Sequence, residues 1–288
     1  MNLSEAIEAY IDGYLILQGR TVSTRRCYSA DLRMFEKYCA KTMPREPEMQ
    51  RIERMHIEEF LHHEYQRGMH SNTVRRRISV IKHFFEWAEE MGLCEHPAPK
   101  IPVPKYRDSF PYCPSREEVE SLIANCYDPT AHAIICTLFF TGLRIGELCS
   151  LRIDDVDLKR ELLLVRNGKG HKDRQIPLNG RVRSVLERYL ANVRPDVESD
   201  RFFSSRTGKI SIAWASQLLR REKEREGIQG HLTPHSLRHA FATELYRNGC
   251  DLRELQILMG HASLHTLQVY VHLSMRDLQE AVSLLDSR

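Results

Sequence analysis

Thr233-Pro234-His235-Ser236-Leu237-Arg238-His239-Ala240-Phe241-Ala242-Thr243 is the stretch on which the reading of this 288-residue chain turns. Thr233 suits an N-cap, and Pro234 suits the first helical position, where its missing N–H costs nothing. A helix starting there puts His235 and Arg238 three residues apart in its opening turns, beside the positive end of the helix dipole. A histidine, an arginine and unpaired backbone N–H groups at one helix start form an anion site suited to phosphate. Taken alone, the same residues fit an ordinary surface helix start, so the reading depends on what stands around them.

Two further segments matter. Downstream, Asp251 and Glu254 make a capping box, Leu252, Leu255 and Leu258 face a core, and Gly260 ends the helix. His261 follows that glycine directly, and Tyr270 comes nine residues later between Val269 and Val271. By itself Tyr270 also reads as a core tyrosine with a polar tip. Upstream, Thr141-Gly142-Leu143-Arg144-Ile145-Gly146-Glu147-Leu148 closes an apolar run, Ala133 to Phe140. Arg144 and Glu147 fit either a surface ion pair or an arginine aimed at phosphate and steadied by the glutamate.

Working outward, residues 2–18, 24–41, 52–67 and 71–91 carry apolar positions at three- and four-residue spacing, with Val74, Ile78, Ile81, Phe84, Phe85 and Ala88 as the clearest stripe. Ser4, Ser23 and Ser71 are candidate caps, and Gly68 and Gly92 are stops. Four helices predict a small N-terminal bundle over 1–95. From His96 to Pro114 six prolines break the helical period, which predicts an extended linker over 96–114. Ser115 followed by Glu118 opens a second domain, 115–288. Within it Leu162 to Val165 and Arg174 to Leu178 read as a β-hairpin around an Asn167-Gly168 turn, with Ile176 and Leu178 on one face and Lys169 and Lys172 at the tip. The fold class is mainly α with a small β-hairpin, an α+β second domain.

Composition excludes several classes. At 42% hydrophobic and 28% charged residues the chain is globular rather than disordered. No apolar run approaches the ~18 residues of a membrane helix. Glu5, Glu8 and Asp12 stand where a secretory leader needs basic and then apolar residues, so a cytoplasmic protein with no membrane partner is expected. The eight cysteines form no C-x-x-C pair and read as reduced core residues. Net charge is only +3, but basic residues cluster at Arg25-Arg26, at Arg75-Arg76-Arg77 and from Lys169 to Arg174. Local clusters of that kind can track a phosphate backbone, though solvated helix faces look the same.

Together the three motifs change the reading. The order Arg144, Lys169, His235-x-x-Arg238, His261, Tyr270 resembles the tyrosine recombinase (phage integrase) family over nearly the whole chain. Thr-Gly-Leu-Arg-Ile-Gly-Glu-Leu, Pro-His-Ser-Leu-Arg-His-Ala-Phe-Ala-Thr and Leu-Met-Gly-His-Ala-Ser look most like its Xer-type members. The hairpin at Asn167 to Gly170 looks like the family's lysine-bearing β-turn. The resemblance implies an N-terminal helical domain and a catalytic domain that clamp duplex DNA, and no extra arm-binding domain ahead of them. It implies site-specific recombination through a 3′-phosphotyrosine intermediate and a Holliday junction, serving integration, excision or dimer resolution.

In that chemistry Tyr270 is the nucleophile, Arg144 and Arg238 brace the phosphate, and His261 adds a hydrogen bond. Lys169 is the acid for the departing 5′-oxygen, His235 helps remove the tyrosine proton, and Glu147 steadies Arg144 from behind. Arg25, Arg26, Arg75, Arg76, Arg77, Lys172 and Arg174 are candidates for DNA-backbone contacts. No cofactor and no metal are expected: His235 and His239 lie four apart, but H-E-x-x-H is absent and no Cys or carboxylate joins them. The partners implied are double-stranded DNA with short inverted repeats and a homotetramer, or a paired recombinase, joined through the C-terminal helix. The tail carries Met275, Leu278, Ala281, Val282 and Leu285 at helical spacing, a stripe that fits either this contact or packing on its own domain. The rival readings are a silent DNA-binding regulator on the same fold and a type IB topoisomerase-like activity.

Overall fold

The computed structural model describes residues 1–98, 101–103, 112–166 and 173–260, in two compact units, 1–109 and 110–288.

The first unit is helical. Its opening run is α1 (Leu3–Glu8), a π-helical turn (Ala9–Tyr14) and α2 (Leu15–Leu17), where the sequence reads as one helix. Leu3, Ala6, Ile7, Tyr10, Ile11 and Leu15 still share one buried face. The long helices are α3 (Val22–Thr42), α4 (Arg54–Gln66) and α5 (Ser71–Glu90). The caps of α1, α3 and α5 differ from the serines expected: Asn2, Thr21 and His70 stand at the extended-to-helical bend and accept from Glu5, Thr24 and Asn72 backbone N–H groups. Each bend comes one or two residues before the serine, which therefore already lies inside the helix. Gly68 (φ 73°) and Gly92 (φ 69°) follow α4 and α5 in the left-handed conformation that ends a helix. Aromatic rings fill the core, with Phe35–Phe60 at 5.4 Å, Phe84–Phe85 at 5.1 Å and Tyr10–Phe84 at 5.4 Å. Ala98 and Ile101 are buried in this same core, so the start of the proline-rich stretch packs on the bundle.

Arg77 corrects the sequence reading. It is 6% exposed and ion-paired with Glu64 and Asp31, while its Nη2 lies 3.1 Å from Met34 Sδ. It continues the Val74, Ile78, Ile81 stripe inward, so it is part of the core and is sequestered from any DNA backbone. Arg76 bonds Asp31 at 2.6 Å with half its side chain covered, Arg25 lies 3.9 Å from Asp12, and Arg26 and Arg75 are exposed.

The second unit is organised around α7 (Pro129–Thr141), an almost wholly apolar helix capped by Asp128 with Pro129 at its first position. A helix apolar all round must be enclosed. It packs against α6 (Arg116–Ala124), α8 (Ile145–Ser150), α9 (Gly180–Arg188), α10 (Ile212–Glu226) and α11 (Pro234–Arg247). The last described helix is α12 (Leu252–Met259). Ser115 and Glu118 form the expected capping box at 3.2 and 2.8 Å.

Three short strands, β1 (Val156–Asp157), β2 (Leu162–Val165) and β3 (Arg174–Pro177), make an antiparallel sheet in sequence order. A small hairpin, β4 (Ser204–Ser205) and β5 (Gly208–Lys209), completes the described strands. The β2–β3 register pairs Val165 with Arg174. These are the strands the sequence indicates, 162–165 and 174–178, to within one residue, while the Asn167-Gly168 turn lies outside the described residues.

Candidate active site

Three chain segments meet where α7 ends, α11 begins and α12 stops. At the first, Gly142 takes φ +63° and turns the chain out of α7 toward Arg144. A Cβ on Gly142 would run into the Phe241 ring of α11 and come within 3.2 Å of Met259 Sδ. Gly142→Ala is therefore expected to lower stability by about 2–4 kcal/mol, combining left-handed strain with overpacking. Thermal unfolding measures it, and an unchanged melting temperature would show that the turn absorbs the methyl group.

Arg144 is the N-cap residue of α8 and Glu147 its third residue. The Glu147 carboxylate accepts from the Arg144 backbone N–H at 2.9 Å through Oε2 and from Arg144 Nη1 at 2.7 Å through Oε1. The other terminal nitrogen of Arg144 donates to the Gly260 carbonyl at 3.1 Å. Burial pushes the Glu147 carboxyl up, but Arg174 and Arg144 outweigh it, and its pKa falls to about 2. The carboxylate is thus charged throughout the physiological range.

At the second segment Thr233 caps α11, its hydroxyl accepting from Ser236 N–H at 3.1 Å, and Pro234 occupies the first turn as expected. Arg238 points inward. It is 1% exposed and donates to the carbonyls of Gly142 and Met259. The Arg144 and Arg238 guanidinium groups are therefore fastened to consecutive carbonyls, Gly260 and Met259. The two arginines are unequal, for the Arg144 side chain keeps 29% of its surface exposed. His235 stays at the surface, but its partly enclosed setting and the Arg238 and Arg144 charges pull its pKa below the ordinary imidazole value. His239 lies behind it, with ring centroids 4.4 Å apart. Burial, His235 and Arg238 push His239 down to about 4, so it is a neutral packing group at neutral pH.

The third segment is the end of α12, where Asp251 caps the start and Gly260 (φ 59°) closes the helix. Lys169, Lys172, His261, Tyr270 and the apolar tail positions lie outside the described residues. Among the described residues no group of three or more His, Cys, Asp or Glu side chains is placed to hold a metal ion, and no helix is long and apolar enough to cross a membrane.

Arg174 is the second correction. Its side chain is 8% exposed and faces Glu147, with Nη1 to Oε1 at 3.0 Å and Nη2 to Oε2 at 2.8 Å, and its Nε donates to the Leu258 carbonyl at 2.9 Å. Strand alternation places it on the inward face with Ile176, where a DNA backbone has no access. That alternation was the available signal for its burial.

A sequence profile of the phage integrase family matches residues 115–277, and that of the phage integrase N-terminal SAM-like domain matches residues 7–92. Tyrosine recombinase XerD of Listeria monocytogenes serotype 4b (strain F2365) is 32% identical over 286 residues, covering 94% of this chain and 95% of that protein. The crystal structure of a XerA recombinase aligns over 99% of both chains at 29% identity and TM-score 0.58. The Tn1549 transposon integrase in complex with circular intermediate DNA aligns over 98% of this chain and 99% of that one, at 19% identity and TM-score 0.78, a likeness of fold. With both domains matched and the arginines of its two central motifs gathered at one helix end, the chain belongs to the phage integrase family and is a tyrosine recombinase.

Proposed function

We propose that this protein cuts and rejoins double-stranded DNA at short inverted-repeat sites through a 3′-phosphotyrosine bond, with a Holliday junction between the two exchanges. The observation that carries this reading is the pair of guanidinium groups held on the adjacent carbonyls of Met259 and Gly260, immediately before His261 in the chain. A phosphodiester under attack gains charge on its non-bridging oxygens, and cations already fixed in place stabilise it without reorganising.

In this mechanism Tyr270 Oη attacks the scissile phosphorus, a new P–O bond forms and the bond to the 5′-oxygen breaks. Lys169 gives its proton to the departing 5′-oxygen. His235, held neutral by its surroundings, helps take the tyrosine proton, and His261 donates to a non-bridging oxygen. The partly exposed Arg144 meets the phosphate by forked hydrogen bonds, while Arg238 adds its charge from the layer beneath. The ester exchange conserves bond energy in the phosphotyrosine, so rejoining needs no nucleotide.

The biological setting consistent with this chemistry is integration, excision or dimer resolution in the cytoplasm. The working assembly is a homotetramer, or a tetramer with a paired recombinase, on two duplexes, joined through the C-terminal helix. Solved relatives such as the Tn1549 integrase are complexes with DNA, which supports the choice of partner.

The test is covalent trapping. A duplex selected by the protein from a random-sequence pool, nicked beside the mapped cleavage position, should give a protein–DNA adduct on a denaturing gel in the presence of EDTA. Loss of the adduct on chelation, with zinc restoring it, would replace the arginine-based mechanism with a metal-assisted one.

A further inference from the structure

Resting on the DNA-cleavage reading above, we propose that Arg174 is a positioning residue for that reaction: through Glu147 it fixes the direction in which Arg144 presents its guanidinium group, and through the Leu258 carbonyl it binds the end of α12 to the strand that follows Lys169.

The geometry is that of a shared carboxylate. Oε1 of Glu147 accepts from Arg174 Nη1 at 3.0 Å and from Arg144 Nη1 at 2.7 Å. Oε2 accepts from Arg174 Nη2 at 2.8 Å and from the Arg144 backbone N–H at 2.9 Å. Both oxygens are therefore held in the plane of the Arg174 fork. Without that fork the carboxylate keeps only its bonds to Arg144 itself, so no other element fixes its plane and the contact that aims Arg144 loosens. A lysine supplies the charge but not the plane.

Charge points the same way. Glu147 with Arg144 alone is a neutral pair and a weak host for phosphate. With Arg174 the cluster carries two cations and one anion, so a net positive charge remains for an incoming diester. Glu147 also lines a polar pocket together with Arg152, Asp155, Arg166 and Arg201. There Arg166 is paired with Asp155 at 2.5 Å, and Arg152 and Arg201 are paired with Asp200 at 3.4 and 3.5 Å.

Arg174 also fits its place closely. Gly260 has no Cβ, and a Cβ there would stand 2.8 Å from Arg174 Nη1. Arg174 and Arg144 hold the same helix end, one by the carbonyl of Leu258 and the other by that of Gly260. One side chain thus connects β3, the start of α8 and the end of α12. Each of these leads directly to a residue of the proposed chemistry.

The experiment measures single-turnover adduct formation on the nicked duplex across pH for the full chain, Arg174→Gln, Arg174→Lys, Glu147→Gln and the double variant Arg174→Gln/Glu147→Gln. Gel-shift binding and melting temperature are measured alongside. Arg174→Gln should slow adduct formation about 100-fold, as a misplaced catalytic group does, with binding changed only a few-fold. Arg174→Lys should fall between it and the wild type. The double variant should be no slower than the slower single one, because both changes act through one carboxylate.

Loss of the fork leaves Glu147 buried with less compensation, so Arg174→Gln should lose activity on acidification at a higher pH than the wild type. The Glu147→Gln variants should lack that acid limb. A merely structural role would lower the melting temperature and leave the pH profile unmoved. If Arg174→Gln fails to fold, the Arg174→Lys profile decides. Wild-type rates and pH profiles in the folded Arg174 variants, or fully multiplicative effects in the double variant, would overturn the proposal. No adduct from the wild-type chain itself would overturn the cleavage reading, and this one with it.

Discussion

Tyr270→Phe should leave a protein that binds its duplex and never becomes joined to it. The change removes one hydroxyl, whose loss costs binding about 1 kcal/mol at most. The same oxygen is the only atom that forms the covalent bond in the proposed mechanism, and no other group stands in for a missing nucleophile. Adduct formation should therefore drop by on the order of 10⁵-fold or more, below detection on a denaturing gel. The unperturbed tyrosine pKa is about 10, so the wild type must draw on nearby cations to ionise Tyr270 at neutral pH. A trapped adduct from the phenylalanine variant would remove Tyr270 from the role and return the chain to the search for another nucleophile.

Arg238→Lys carries the second large effect, on stability and on cleavage together. Arg238 is buried and serves two carbonyls, Gly142 and Met259, that belong to different ends of the site. A lysine keeps a charge but cannot span both acceptors, and each buried polar group left without its partner costs about 1–3 kcal/mol. The melting temperature should fall by about 5–15 °C for a domain of this size. Adduct formation should fall by about 10²–10³-fold even at temperatures where the variant is fully folded, because the charge beneath the phosphate is displaced. A stable variant that cleaves at the wild-type rate would show that Arg238 is a structural clasp alone.

The sequence made some features of this molecule legible because their causes are local. The caps of α6, α11 and α12 are hydrogen bonds between residues two or three apart, and Ser115, Thr233 and Asp251 announced them. The apolar run of α7 required enclosure, and it is enclosed. The gathering of Arg144 and Arg238 is not local, since it depends on where the end of α12 docks. Resemblance to a family carried that part of the reading.

Two arginines were misread for one shared reason. Arg77 lies on the inward period of its helix, and Arg174 on the inward period of its strand, among residues the pattern already marked as buried. At both positions the period of the element decides burial, and charge does not. The acids that make their burial tolerable, Glu64 and Asp31 for one and Glu147 for the other, come from other elements, so nothing beside either arginine revealed its partner. The hairpin strands were legible by contrast, because alternation is local: Leu163 and Ile176 pair across the buried face, in the strands their pattern marks.

The acceptors that hold the three arginines of the site include the main-chain oxygens of Gly142, Leu258, Met259 and Gly260. Substitution can change any side chain in α12, but it cannot delete a carbonyl. The anchorage is thus written in the path of the backbone, and it tolerates extensive drift of the side chains that happen to decorate that path. It has a different vulnerability. A single residue inserted into α12 would turn every following carbonyl by about 100° around the helix axis and carry it about 1.5 Å along. Each of the three arginines would lose an acceptor at once, with every catalytic residue type still present in the chain. Drift in letters is cheap for this architecture, and drift in length is not.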